Sequence, residues 1–335
     1  MPIHHSTSAS AAVTARARHI VRDRHRIAFT VAGASDGLAV VVLHGGPGSG
    51  SQMASALRLF DLARFRVVLI DQRGAGASRP HGNVRHNRTH ELIDDMEAIR
   101  RHLGIERWGV VGGSWGAALA LAYAGRYPAR VTGVVVRGVF LTSRTEVRRL
   151  FTTSRKRAPR EWAALSRAAA CRRTQGLFSR CARVLQPGCP PSRQRAVALA
   201  WQAYEEAVLA SAHSRRPRRR ATRSRAADRR LIGKYRVQAH YLAHGCWLGK
   251  RRMLSLARAA ALAGVPIAAV HGVRDPVCPV GNLRHLGRAV PELRVTRVQA
   301  GHLGNEPALL SGVRQAIEAM FTPRVAARDA EKAPI

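Results

Sequence analysis

Short apolar runs of strand length recur toward both ends of this chain, at Leu38–Leu43, Arg66–Ile70, Trp108–Val111 and Val131–Val136, then at Pro266–Val270 and Leu293–Val298. Near-continuous apolar strands rich in β-branched residues are buried on both faces, and helix-period stretches such as Glu91–Leu103 and Ala117–Tyr127 lie between them. The pattern predicts an α/β fold, a mostly parallel sheet flanked by helices. The alternation stops near Thr142 and resumes at Pro266, and the stretch between is helix-like and Arg-rich. A helical cap inserted between two strands of the core is the expectation. The predicted organisation is a basic arm over residues 1–18, a core over 19–142 and 262–325, and a cap over 143–261.

Charge is the unusual part of the composition. The chain carries 56 basic against 20 acidic residues, a net +36, and its only lysines are Lys156, Lys234, Lys250 and Lys332. Such a field holds polyanions non-specifically and slows the approach of cations. With 46% hydrophobic and 23% charged residues, a wholly disordered chain is excluded. The run from Arg215 to Arg230 has nine arginines and one acid, which reads as a solvated face. No nucleic-acid motif accompanies the arginines and aromatics make up only 5% of residues, so no specific nucleic-acid partner is expected. Five cysteines without a C-x-x-C pair fit a reducing compartment. The first 26 residues hold no apolar signal core and no later stretch is apolar enough for a membrane span. The expectation is a cytoplasmic protein with no membrane partner.

The segment Gly112-Gly113-Ser114-Trp115-Gly116 follows the strand WGVV and precedes the helical stretch AALALAYAGRY. A sharp strand-to-helix turn leaves a hydroxyl exposed, and flanking glycines remove the side chains that would collide with it. A serine needs a base, and the base needs a carboxylate to hold it, here in the chain order Ser, acid, His. Acids are scarce beyond Arg230, and Asp275 lies just past the strand PIAAV. Of the two histidines after it, His285 falls in a helix-like stretch, whereas His302 follows a strand through Gly301 into a loop. Ser114, Asp275 and His302 are the candidate triad. His44-Gly45-Gly46-Pro47-Gly48 follows LAVVVL, and the amides of Gly46 and Trp115 are the candidate oxyanion donors. It matches no phosphate-loop pattern. The scattered histidines form no coherent metal-ligand set, and no metal or other cofactor is expected.

These segments together resemble the prolyl iminopeptidase family of α/β-hydrolases. HGGPGSG (44–50), RVVLIDQRGAGAS (66–78), GGSWGAALALAYA (112–124), VRGVF (136–140), HGVRDPVCP (271–279) and AGH (300–302) carry the likeness. It implies an α/β-hydrolase fold with an inserted cap, and release of N-terminal proline from peptides by acylation of Ser114, without a metal. In the cap, AWQAYEEA (200–207) is similar to the family's A-W-x-x-W-E. That likeness implies Glu205 as the carboxylate gripping the substrate amine, with Tyr204 replacing the second Trp. Gln238 stands where a second amine-binding Glu is expected, Leu242 where an aromatic would line the proline pocket, and Phe140 matches a pocket residue. Exchanging one buried carboxylate for an amide removes a charge-assisted hydrogen bond of roughly 1.5–3 kcal/mol.

Two other readings remain open at this point. An esterase or amidase on the same core would use the same triad without Glu205. A polyanion-binding protein with a vestigial site would use only the arginines, with binding that falls steeply with salt.

Overall fold

The computed structural model describes residues 16–171, 176–212 and 224–322. Strands β1 (Arg16–Arg22), β2 (His25–Gly33), β3 (Leu38–Leu43), β4 (Phe65–Ile70), β5 (Trp108–Gly113), β6 (Val131–Arg137), β7 (Ile267–Gly272) and β8 (Arg294–Val298) form one sheet. Its order is β1-β2-β4-β3-β5-β6-β7-β8. The β1–β2 and β2–β4 pairs are antiparallel and every later pair is parallel. The expected α/β-hydrolase architecture is therefore present. Val40, Val67, Val68, Val110, Val134, Val135 and Val270 are fully buried, as a sheet covered on both faces requires.

The first two strands depart from expectation. β1 begins at Arg16, inside the stretch read as an arm; residues 1–15 of that arm lie outside the described residues. Asp23 and Arg24 both take positive φ, 45° and 62°, between Arg22 and its partner His25. That is the geometry of a two-residue hairpin whose turn matches the strand twist. β2 then buries alternate residues, His25, Ile27 and Phe29, while β1 is spaced with arginines that hide any period.

Between core strands lie α1 (Met53–Leu57), α2 (Thr89–His102) and α3 (Trp115–Arg126). From β6 the chain leaves the sheet for α4 (Arg144–Phe151), α5 (Pro159–Ala168), α6 (Leu177–Val184), α7 (Pro191–Ala210), α8 (Arg225–Ala243) and α9 (Gly249–Leu262). It returns at β7 and finishes with α10 (Asn282–Ala289) and α11 (Pro307–Phe321). The helices between β6 and β7 pack on an aromatic cluster. Trp201 lies 5.1 Å from both Phe151 and Tyr235 between ring centroids. α8 also rests on the core: its Tyr241 donates to Asn87 Oδ1 at 2.8 Å and its ring sits 5.0 Å from that of Trp115. Among the described residues no helix is long and apolar enough to cross a membrane.

Candidate active site

Parallel strands present their carboxyl ends on one edge, and the loops leaving β3, β5, β7 and β8 meet there. Ser114 occupies the turn from β5 into α3 with φ 57° and ψ −120°, a conformation costly for any residue with a side chain. The turn is enforced by close packing. A Cβ on Gly112 would lie 2.1 Å from the Gly116 carbonyl oxygen, and one on Gly116 would lie 2.2 Å from that of Leu43. The Ser114 amide donates to the Arg137 carbonyl at 3.0 Å. α3 begins at Trp115, so the Trp115 amide is among those the helix leaves without an internal partner.

Asp275 lies three residues past β7, its side chain 1% exposed. Oδ1 accepts from the amides of Val277 and Cys278, both at 2.8 Å, and Oδ2 lies 2.7 Å from His302 Nδ1. Burial pushes the carboxyl up, but the His302 ring and the two amides together outweigh it and hold Asp275 below its ordinary value. A carboxylate at Nδ1 fixes the tautomer with the proton there, which leaves Nε2 as the ring's acceptor. His302, Ser114, Gly46 and Gly113 line one cavity of about 430 Å³. One ligand atom each from Cys278, Asp275 and His302 lie within 4.8 Å of one another. As a metal cradle this trio is poor: burial pushes the Cys278 thiol well up, and the Asp275 oxygens already accept three bonds.

Arg137, Glu306 and Gln72 support the site and were not among the residues singled out from sequence. Arg137, at the end of β6, donates to the His302 carbonyl at 3.0 Å and lines the cavity. Glu306 accepts from the amides of Gly301 at 2.5 Å and Leu303 at 2.8 Å, bracketing His302. Gln72 accepts from the Trp115 indole at 2.8 Å and donates to the His44 carbonyl at 3.0 Å, tying the glycine loop to α3. Asp71 accepts from the Ser51 and Ala77 amides at 2.6 and 2.7 Å. Gly46 takes φ +117°, and a Cβ there would lie 2.9 Å from the Ser49 amide, so only glycine suits the turn.

The residues singled out between β6 and β7 form a separate cluster. Glu205, on α7, accepts from Trp201 Nε1 at 3.1 Å, from the Tyr235 hydroxyl at 2.8 Å and from Gln238 Nε2. Lys234 Nζ lies 3.8 Å from it. Gln238 Oε1 is buried with no hydrogen-bond partner among the described residues. Glu205 and Gln238 are thus together, but neither lines the cavity holding Ser114. Phe140 and Leu242 are buried in the main apolar cluster, outside that lining as well. Tyr204 donates to the Leu150 carbonyl at 2.6 Å and packs in the aromatic cluster of the helices between β6 and β7.

A family model for the alpha/beta hydrolase fold matches residues 39–308. The proline iminopeptidase of Xylella fastidiosa (strain Temecula1) is 36% identical over 300 residues, 86% of this chain and 90% of its own. The chain belongs to the proline iminopeptidase family of α/β-hydrolases. Another member, the proline iminopeptidase of Neisseria meningitidis serogroup B, is 33% identical over 312 residues, 89% of this chain and 93% of its own. Among solved structures, a proline iminopeptidase-related protein from Thermus thermophilus superposes with a TM-score of 0.53 at 20% identity, over 92% of this chain and 98% of the other. The 2-hydroxy-6-oxo-6-phenylhexa-2,4-dienoate hydrolase of Rhodococcus sp. strain RHA1 gives 0.56 at 20% identity, over 93% and 100%. At that identity the likeness is one of fold. This proline iminopeptidase family member thus keeps the core architecture of enzymes with other substrates.

Proposed function

We propose that the protein is a serine aminopeptidase that releases N-terminal proline from peptides through an acyl-enzyme on Ser114. The observation that carries the reading is the Asp275–His302 pair, 2.7 Å apart on a buried carboxylate, in the wall of the cavity that Ser114 lines. His302 Nε2 takes the hydroxyl proton as Ser114 Oγ attacks the prolyl carbonyl. Asp275 stabilises the imidazolium without accepting its proton. The amides of Gly46 and Trp115 receive the oxyanion, and His302 returns the proton to the leaving peptide nitrogen. Water then repeats the sequence on the ester. Glu205 and the unpartnered Gln238 oxygen supply acceptors for the substrate's cationic amine, one of them neutral where two carboxylates would bind more strongly.

A second reading has its own observation. The Glu205 carboxylate already accepts from Trp201, Tyr235 and Gln238 and lies beside Lys234, which favours an esterase or amidase that ignores a free amine. Hydrolysis of a proline arylamide and of its N-acetylated form decides between them. The aminopeptidase loses nearly all turnover on acetylation, whereas an esterase or amidase keeps it. Ser114→Ala should abolish either activity, by at least about 10⁴-fold in kcat.

A further inference from the structure

A second cavity, of about 590 Å³, opens where the first half of α8 lies over the loops that follow β3 and β4. Its polar lining among the described residues is Ser49, Arg79, His81, Ser224, Arg230 and Lys234, and none of the described lining residues is acidic. Arginine is common everywhere in this chain, so basicity alone distinguishes nothing. Three features do. The cations converge from separate segments onto a concave surface, where one sign of charge focuses the field. Arg79 and Arg230 make no ion pair among the described residues; the Arg79 guanidinium donates to the carbonyls of Gly76 and Ser78. Ser49 lines this cavity and also the one holding Ser114, so the glycine loop is a shared wall.

Of the nearby acids, Asp71 binds backbone amides, Asp228 binds a side chain outside the lining, and Glu205 lies beside the lining Lys234. Asp71 accepts from the Ser51 and Ala77 amides, Asp228 pairs with Arg195 at 2.5 Å, and Glu205 accepts from three donors beside Lys234. The effect registers on His81. Burial pushes its ring below the ordinary value, and the charges of Arg79, Arg230 and Arg236 push it further the same way. Guanidinium forks match the two oxygens of a carboxylate, and Ser49 is common to the linings of both cavities.

We propose that this cavity is a substrate subsite for a carboxylate, either the C-terminal group of a short peptide or an acidic side chain, while its scissile carbonyl lies at Ser114. The assignment rests on the peptidase reading above. It makes the enzyme one for short or acidic peptides, and it turns the positive field into a means of substrate selection.

The test compares Pro-Ala-Ala with its C-terminal amide, and Pro-Ala-Glu-amide with Pro-Ala-Gln-amide. Each is measured on the wild type, on R79Q/R230Q, and on R251Q/R252Q, which removes the same charge from exposed positions on α9. The wild type should favour the carboxylate member of a pair by about three- to tenfold in KM with kcat unchanged. R79Q/R230Q should lose the preference and R251Q/R252Q should keep it. No wild-type preference, or equal loss in both double variants, overturns the subsite. A second readout needs no turnover and so separates this proposal from the peptidase reading. N-acetylglycine and inorganic phosphate are titrated against the His81 imidazole signal, identified by its loss in His81→Gln. N-acetylglycine should raise the His81 titration midpoint, and an unmoved midpoint overturns the proposal. A midpoint that moves with phosphate alone, with no peptide preference, assigns the cavity to a free anion and overturns the substrate role.

Discussion

Buried carboxylates are costly unless their lone pairs are filled, and Asp275 fills its own with two amides and an imidazole. Because its folded carboxyl ionises below the ordinary value of 3.8, the ionised form favours folding. That contribution is complete above the ordinary value and disappears as pH falls through the lower, folded one. Asp275→Asn should therefore be less stable than the wild type at neutral pH. The gap between their urea midpoints should narrow from about pH 5 to about pH 3; a gap of constant width over that interval contradicts the assignment. Ser114, Asp275 and His302 could be singled out from sequence because acids are scarce beyond Arg230 and the fold dictates a chain order, and the structure pairs Asp275 with His302. Arg137 was not: one arginine among dozens carries no signal, although its guanidinium holds the His302 loop. Glu306 was hidden for another reason, since accepting from Gly301 and Leu303 depends on a loop conformation that no periodicity encodes.

The β5–α3 turn works only because the helix approaches β3 without side chains between them. Gly116→Ala would place a Cβ 2.2 Å from the Leu43 carbonyl oxygen and 2.9 Å from that of His44, and backbone atoms cannot yield as a side-chain tip can. The variant should lose about 1–3 kcal/mol of stability and, by displacing the Ser114 turn, most of its kcat. Gly287→Ala on α10, where a Cβ meets nothing within 4 Å, should be neutral or slightly stabilising. Thermal unfolding and turnover of the two variants check this; equal behaviour contradicts it. Strands β3 to β7 fall within a residue or two of their apolar runs, because buried parallel strands have a plain hydropathy signature, whereas β8 is mostly exposed at the edge of the sheet. The β1–β2 hairpin is not legible in the same way, since its turn, Asp23-Arg24, lacks the glycine that usually marks one.

At the scale of the molecule, the arginine-rich helices between β6 and β7 carry two messages that sequence could not separate. Arginine stems cover apolar surface while the guanidinium stays in water, so Trp201, Tyr204, Phe151 and Tyr235 could form a packed cluster beneath a face that reads as solvated charge. The densest stretch of the run, 213–223, lies outside the described residues. The net +36 opposes a cationic amine at long range; in the proposed reading the Glu205 cluster would take the substrate's amine and the basic cavity beside it the carboxylate. All of this requires that the Ser114 hydroxyl be activated by His302. Incubation with a fluorophosphonate, followed by peptide mass spectrometry, tests that requirement most directly. The account predicts one adduct per chain, on Ser114, formed at least about 100-fold more slowly in His302→Gln. An adduct elsewhere, or a Ser114 adduct whose rate is indifferent to His302, would contradict it.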